Sequence, residues 1–296
     1  MSETIVGEYK KYLITEKNFS ENSLDAYIRD VSKFEEYLQE NKINKLIKTD
    51  KTIVIRYLMS LHNDGRATST ISRNLASIRC FFQYLLNNNL IKEDPTLNLK
   101  SPKTEKKLPV ILTEDELNIL LSQPDTENFK GSRDKAMLEL LYATGLKVSE
   151  IISTNIGDVE FELGILKIRE GSGNIRVVPI GDLAIKALNH YINNFRSINT
   201  KSLNESLFVN FSNKALTRQG VWKIIKTYGK KAGINKVITP HTFRHSFAVH
   251  LIENGANIET VKELLGHSDI STTQIYNFAT EHEEMREVYK KSHPRA

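Results

Sequence analysis

The sequence of 296 residues has one cysteine, Cys80, and no long apolar run. A single cysteine forms no intramolecular disulfide and supplies no cysteine-based zinc cluster, which excludes a disulfide-stapled miniprotein and a zinc finger. No apolar stretch approaches the ~20 residues needed to span a bilayer, and the start, Met-Ser-Glu-Thr, lacks the pattern of a signal peptide. We therefore expect a cytoplasmic protein that does not engage a membrane.

The composition is that of a folded protein with a mild positive charge. Hydrophobic residues make up 40% and charged residues 26%, which are ordinary values for a soluble globular chain. At roughly 150 residues per domain, the length suggests two domains. Lys and Arg number 41 against 36 Asp and Glu, a net charge of +5. This excess favours polyanionic partners only weakly.

Residues 1–91 predict a small helical bundle. Apolar residues recur at steps of three and four in 24–38 and again in 71–85, which is the pattern of amphipathic helices. Less regular segments at 4–16 and 51–62 bring the number of helices to about four. Residues 92–109 then contain three prolines and five lysines without periodicity, the composition of an extended linker.

Residues 110–296 predict a second domain, mainly helical with a small antiparallel β-sheet. Thr113 and Glu116 form the pattern of a capping box at a helix start. Two strand-like segments, 164–169 and 175–180, flank the sequence Gly-Ser-Gly-Asn, which predicts a hairpin. Further helices are expected at 132–143, 182–196, 217–232, 241–254 and 258–265.

The densest polar cluster lies in residues 241–276. His241 and Arg244 fall about 60° apart on a helix, and the first turn of a helix favours an anion. Gly266 suits a left-handed helix end, so that His267 begins the next loop, and Tyr276 follows nine residues later. The two histidines, the arginine and the tyrosine are thus candidates to converge on one phosphate.

Less specific interpretations compete with a phosphate site. A histidine on a helix is more often a surface or satisfied core residue, and a tyrosine more often packs with its hydroxyl bonded. The spacing of His241, His245 and His267 also allows a zinc site. We disfavour it, because the chain has no HExxH motif, no cysteine ligand and no acidic ligand nearby.

The sequences HTFRH at 241–245 and LLGHSDISTTQIY at 264–276 resemble the C-terminal signature of tyrosine recombinases, and the ending at 289–296 is similar to the Xer-type branch. The resemblance covers nearly the whole chain. It implies an N-terminal core-binding (SAM-like) domain at 1–91, a linker at 92–109 and a catalytic domain at 110–296. It also implies site-specific recombination or integration of double-stranded DNA, with a role in chromosome partition typical of that branch.

The resemblance further implies the chemistry. Tyr276 would attack a DNA phosphodiester, forming a 3′-phosphotyrosyl bond and releasing a 5′-hydroxyl, without metal or cofactor. Arg244 would stabilise the charged transition state, and His241 and His267 would assist with hydrogen bonds and proton handling. The family works as a tetramer on DNA, so a homotetramer or a heterotetramer with a second recombinase is expected.

Two positions depart from the family pattern. Lys147 stands where the family has an arginine in Ala-Thr-Gly-Leu-Arg-x-Ser-Glu, and Ser172 stands where the hairpin carries a lysine that protonates the leaving oxygen. Lysine keeps the charge of arginine but loses its two-pronged geometry, and general-acid help is worth ~10²- to 10⁴-fold. Lys167, Arg169 or Arg176 are candidates to compensate, with exposed sheet-face or DNA-backbone cations as the simpler interpretation.

DNA contact is expected from basic and polar residues of both domains, with solvated surface positions as the alternative for each. The candidates are Arg66, Arg73, Arg79, Arg176, Arg218, Gln219 and Lys223. The departures at Lys147 and Ser172 leave open a degenerate paralogue that binds DNA and regulates or partners an active recombinase. A relaxing enzyme similar to type IB topoisomerases, which shares the tyrosine chemistry, is a further alternative.

Overall fold

The computed structural model describes residues 2–19, 21–43, 49–102, 110–169, 175–196, 204–266, 289 and 291–294. The chain divides into two compact units, Met1–Lys107 and Leu108–Ala296. The prediction of a mainly helical chain with a small antiparallel sheet is confirmed. None of the helices within the described ranges is both long and apolar enough to cross a membrane.

The described residues of the N-terminal unit form four helices, at the places that the sequence predicts. They are α1 (Ser2–Thr15), α2 (Glu21–Glu40), α3 (Lys51–Asn63) and α4 (Thr68–Asn87). The apolar faces of α2 and α4 pack against each other, and aromatic rings fill much of the core. Phe34, for example, is fully buried and its ring meets those of Tyr57 and Phe82 edge-on, an arrangement that aromatic pairs favour.

The segment after α4 packs back onto the helical bundle. Thr96 is buried, and Asp94 accepts hydrogen bonds from its amide and its hydroxyl. Arg79 of α4 donates from Nη2 to the carbonyl oxygen of Leu99 at 2.7 Å. The first residues of the range predicted as a linker are therefore attached to the N-terminal unit.

The second unit is built around a helix that is buried on nearly all sides. The α-helices with described bounds in this unit are α5 (Glu114–Leu121), α6 (Phe129–Thr144), α7 (Val148–Ser153), α8 (Asp182–Tyr191), α9 (Arg218–Lys231), α10 (Pro240–Glu253) and α11 (Ile258–Leu265). The central helix is α6, which packs against α8 and α10. It ends at Gly145, whose φ of +60° is the left-handed conformation that glycine adopts without strain.

A three-stranded antiparallel sheet lies beside these helices in the order β1 (Val159–Glu160), β2 (Ile165–Arg169), β3 (Ile175–Pro179). The expected pairing of the two hairpin strands is present, while the turn between them lies outside the described residues. The register pairs Ile168 with Arg176 and Lys167 with Val177. Because directly paired residues point to the same face of a sheet, Arg176 shares the face of buried Ile168.

The residues at the start of the second unit fix the orientation of α10. The capping box at Thr113 and Glu116 is present as the sequence predicts. The Ser246 hydroxyl on α10 accepts a hydrogen bond from the amide of Leu112 at 2.9 Å. Thr239 caps the helix start, and Phe243 and Phe247 are fully buried. One side of α10 is thereby held in the core, while His241 and His245 on the other side are exposed.

Candidate active site

Arg244 is anchored by two backbone carbonyls from distant parts of the sequence. Its Nη1 donates to the carbonyl oxygen of Gly145 at 2.8 Å, and its Nη2 donates to that of Leu265 at 2.5 Å. Only 7% of the residue is exposed. This one guanidinium therefore joins the end of α6, the first turns of α10 and the end of α11.

Burial opposes the positive charge of Arg244, because the charged group is removed from water. Desolvation lowers its pKa, the negative charge of Glu150 raises it, and the positive charge of Arg176 lowers it. An arginine nevertheless keeps its proton in proteins, so the buried group is a fixed positive charge. A guanidinium has five N–H donors, and a fixed fork of such donors matches the oxygens of a phosphate.

Glu150 lies between two cations next to Arg244. Its carboxylate accepts a hydrogen bond from the backbone amide of Lys147 at 2.8 Å, and this bond caps the start of α7. The same carboxylate pairs with Arg176 Nη2 at 3.2 Å, with 11% and 12% of the two side chains exposed. The ammonium of Lys147 lies 4.0 Å away, and 47% of its side chain is exposed.

The sequence offers two interpretations of Arg176: compensation at the site, or an exposed sheet-face or DNA-backbone cation. The structure does not show an exposed cation, because only 11% of the side chain is exposed. The register instead turns it toward the interior, and its guanidinium lies directly against Gly266, where an added Cβ would meet Nη1 at 1.8 Å. Gly266 has a φ of +62°, which is the left-handed helix end that the sequence predicts.

His241 and His245 lie one turn apart on α10, both exposed, with ring centroids separated by 6.5 Å. Partial desolvation lowers the pKa of His245, as do the positive charges of His241 and Arg244. The sequence suggested an anion on the free amides of this helix start. However, the hydroxyl of Thr239 already accepts from the amide of Thr242, and Thr242 bonds the amide of Thr239.

Three predicted participants lie outside the described residues: the nucleophile candidate Tyr276, His267 and the hairpin residue Ser172. The described part of the site consists of Arg244, Lys147, Glu150, Arg176 and the exposed His241. It supplies positive charge and hydrogen-bond donors in one place. Within the described ranges, no three His, Cys, Asp or Glu side chains are grouped so that they would hold a metal ion.

The other two cations proposed to compensate are engaged elsewhere on the sheet. Lys167 forms an ion pair with Glu160, and Arg169 pairs with Asp158 at 3.3 Å. The alternation along β2 places both on the face opposite to that of Arg176. Of the three candidates, Arg176 is the one that the structure brings to the site.

The predicted DNA-contact residues fall into two groups. Arg218, Gln219 and Lys223 are exposed on the first turns of α9, where the Thr217 hydroxyl accepts the amide of Gly220. Exposed Trp222 lies on the same face, and the Nζ of Lys226 is 5.1 Å from its ring centroid.

The arginines of α4 are tied into the N-terminal unit. Arg73 Nη1 lies 2.5 Å from Oδ2 of Asp30, a carboxylate whose side chain is only 2% exposed, and Arg79 bonds the backbone of Leu99. Both guanidiniums hold other parts of the fold together. Arg66 is exposed on the loop before α4.

The residue that sequence reasoning missed is Glu150. In the sequence it is the last residue of Ala-Thr-Gly-Leu-Lys-Val-Ser-Glu at 143–150, where the pattern alone assigns it no role. A signal was present, because a glutamate three residues after a helix start is the expected partner of an N-terminal cap. Its second function, as the carboxylate shared by two cations, depends on a strand 26 residues further along the chain.

Comparison with known proteins places this arrangement in context. A model of the phage integrase family matches residues 111–283, and a model of the phage integrase N-terminal SAM-like domain matches residues 6–89. Tyrosine recombinase XerD of Staphylococcus haemolyticus is 45% identical over 295 residues, covering 99% of this chain and 100% of the relative. XerD of Staphylococcus aureus is 42% identical over the same share of both chains.

A solved structure shows the same fold. The crystal structure of XerH site-specific recombinase bound to palindromic difH substrate, a post-cleavage complex, aligns with a TM-score of 0.72 at 22% identity. The alignment covers 96% of this chain and 85% of that one.

Proposed function

The chain belongs to the phage integrase family and is a tyrosine-type site-specific DNA recombinase, and we propose that Tyr276 is its nucleophile and Arg244 its central phosphate-binding residue. His241, His267 and Lys147 complete the proposed site. The observation that carries this proposal is the anchoring of Arg244 by Gly145 and Leu265. Those bonds gather three separated segments, 143–150, 241–245 and 264–266, around one guanidinium.

The proposed reaction conserves the energy of the phosphodiester bond. Tyr276 gives up its phenolic proton, with His241 and His267 as the groups proposed to handle protons, and its oxygen attacks the scissile phosphorus. The P–O5′ bond breaks, the leaving O5′ takes up a proton, and a 3′-phosphotyrosyl linkage and a 5′-hydroxyl result. Negative charge accumulates on the non-bridging oxygens in the transition state, where Arg244 and Lys147 stabilise it. The 5′-hydroxyl of a partner strand then attacks the phosphotyrosine, which restores the phosphodiester and releases the tyrosine.

We propose that Lys147 and Ser172 make this chemistry slower than in a site with the family's arginine and lysine. Lys147 supplies a single point charge, and its exposed ammonium has to settle on the phosphate from a flexible chain. A serine hydroxyl is too weak an acid to protonate the leaving 5′-oxygen near neutral pH.

The proposed assembly is a tetramer on double-stranded DNA, of one recombinase or two. Residues 1–91 would form a DNA-binding domain, 92–109 a linker and 110–296 the catalytic domain. Arg218, Gln219 and Lys223 support DNA contact by the catalytic domain, because they share one exposed helical face. As its substrate is DNA, we place the protein's activity in the cytoplasm.

A nicked duplex tests the nucleophile. A nick close to the scissile phosphate lets the short 5′-terminated fragment diffuse away, which traps the covalent intermediate. We expect the full chain to form a protein–DNA adduct that survives denaturing electrophoresis, and we expect none from Tyr276→Phe. Tyr12→Phe, a change in the N-terminal unit, is the matched control and should form the adduct normally. Absence of an adduct from the wild-type chain at every target sequence would contradict the proposal.

A second experiment tests the weakened chemistry. The double substitution Lys147→Arg with Ser172→Lys restores both family residues and should raise the single-turnover rate of adduct formation by at least 10-fold, since general-acid help alone is worth about 10²-fold or more. An unchanged rate would show that these positions do not limit the reaction.

A further inference from the structure

The Glu150 carboxylate has two cationic neighbours, which differ in their distance from it and in their exposure to water. Arg176 lies 3.2 Å from it in a pair that is almost fully shielded from water, whereas the Lys147 ammonium lies 4.0 Å away and is about half exposed. Shielded charges are screened less than exposed ones, so the attraction between Glu150 and Arg176 is the stronger. The negative charge of Glu150 is therefore largely compensated by Arg176.

We propose that Arg176 is a positioning residue of the recombinase, which neutralises Glu150 and thereby leaves the ammonium of Lys147 available to the scissile phosphate. The proposal rests on the role proposed above for Lys147. It also accounts for the position of Arg176 on the interior face of the sheet, opposite buried Ile168, where an arginine needs a charged partner.

The sequence spacing gives Lys147 and Glu150 a strong tendency to pair. They are separated by three residues at the start of α7, and the backbone amide of Lys147 already donates to Glu150. Pairs at this spacing lie on neighbouring positions of a helix surface. If Arg176 were absent, the carboxylate would draw the Lys147 ammonium to itself, and it would repel an approaching phosphate.

Arg176 is held in place from a second side. Its Nη1 lies against Gly266, so closely that no other residue fits there without displacing the guanidinium. Gly266 ends α11, and the preceding carbonyl, that of Leu265, binds Arg244. The guanidinium of Arg176 is thus confined between Glu150 and the turn that helps to hold Arg244.

The test uses the full-length chain and single-turnover cleavage of the nicked duplex at saturating DNA. Arg176→Gln should slow adduct formation by about 10- to 100-fold, with little change in the DNA concentration for half-maximal rate. Adding Glu150→Gln should restore most of the rate. The glutamine oxygen still accepts the Lys147 amide and keeps the helix cap, but it carries no charge to capture the ammonium.

Rescue of the rate is compared with the free energy of unfolding of each variant, because an unpaired shielded carboxylate is itself destabilising and Glu150→Gln relieves that as well. If Arg176 only stabilised the fold, the rate would be lost and recovered only in step with stability, whereas our proposal requires the rate at saturating DNA to be lost and recovered in protein that circular dichroism shows to be folded. Lys186→Gln, which removes an exposed cation on α8, serves as the matched control and should leave the rate unchanged. Should Arg176→Gln fail to fold, Arg176→Lys takes its place, with an expected slowing of about 3- to 10-fold that Glu150→Gln again relieves.

The outcomes distinguish this inference from the proposed function. If the wild-type chain forms no adduct, the proposed function fails. If the wild-type chain forms the adduct and Arg176→Gln matches it, the inference about Arg176 is overturned while the function stands. A slow Arg176→Gln that Glu150→Gln does not rescue also overturns it.

Discussion

Replacing Gly266 by alanine should destabilise the second unit through two separate effects. The first is backbone strain, because the residue has a φ of +62° and alanine pays about 1–2 kcal/mol in the left-handed region. The second is displacement of Arg176. An alanine Cβ would lie 1.8 Å from Nη1, and the flexible guanidinium would have to swing away from Glu150.

The second effect is the larger. A hydrogen bond to a charged group contributes about 1.5–3 kcal/mol, and this pair is shielded from water on both sides. Together the two effects lower the free energy of unfolding by about 2.5–5 kcal/mol. Loss of the pair also frees Glu150 to bind Lys147, so adduct formation should slow by about the factor expected for Arg176→Gln.

Gly233 provides the matched control. It follows α9 with a φ of +67°, and nothing lies within 4 Å of the position where its Cβ would be. Gly233→Ala therefore measures the backbone strain alone. Urea denaturation of both variants, followed by circular dichroism, should show Gly266→Ala to be the less stable by about 1.5–3 kcal/mol. Equal losses in the two variants would refute the assignment of Gly266 as a contact for Arg176.

Three further outcomes follow from the other charged groups. Arg73→Gln should lower the free energy of unfolding by about 1.5–3 kcal/mol in urea denaturation and leave DNA affinity nearly unchanged, since it uncovers the buried carboxylate of Asp30; a selective loss of DNA affinity would contradict this. Arg218→Gln should weaken DNA binding at all sequences and reduce the slope of log affinity against log salt by about 1, as measured by fluorescence anisotropy; an unchanged slope would place Arg218 away from the phosphates. The lowered pKa of His245 means that protonating this histidine costs more in the folded state than in the unfolded state. The resulting stability is present above pH 6.5 and is lost as the pH falls below 6.5. In His245→Gln, the free energy of unfolding should change less with pH over that range, and the same pH dependence as in the wild-type chain would show that His245 does not contribute.

Periodicity and capping rules predicted most of the helices because those signals are local. The apolar stripe of α4 and the capping box at Thr113 each depend on side chains within one or two turns. The left-handed end at Gly266 is also local, since only glycine adopts that conformation without cost. The short helix α7 was missed, because its six residues give too few repeats for a periodic pattern to appear.

The partners of the cationic side chains, and the faces on which they lie, could not be predicted in the same way. The sequence shows that Lys167, Arg169 and Arg176 are near the hairpin, but which face each one occupies depends on the strand register. A shift of one residue in the pairing of β2 with β3 would have placed Arg176 on the same face as Lys167 and Arg169. Likewise, Arg73 on α4 finds Asp30 on α2, 43 residues away, and nothing in either segment alone indicates that pair.

The frame of contacts around Arg244 explains why position 147 can differ from the family's arginine without loss of the fold. Arg244 is held by main-chain carbonyls at the ends of α6 and α11, and each of those helices ends in a left-handed glycine, Gly145 or Gly266. At Gly145 an added Cβ would lie 2.6 Å from the ring of Phe247, which anchors α10 in the core one turn after Arg244. The frame therefore depends on backbone conformation and core packing. The side chain at position 147 points from this frame toward solvent, so substitution there alters the charge offered to a phosphate while the position of Arg244 is retained.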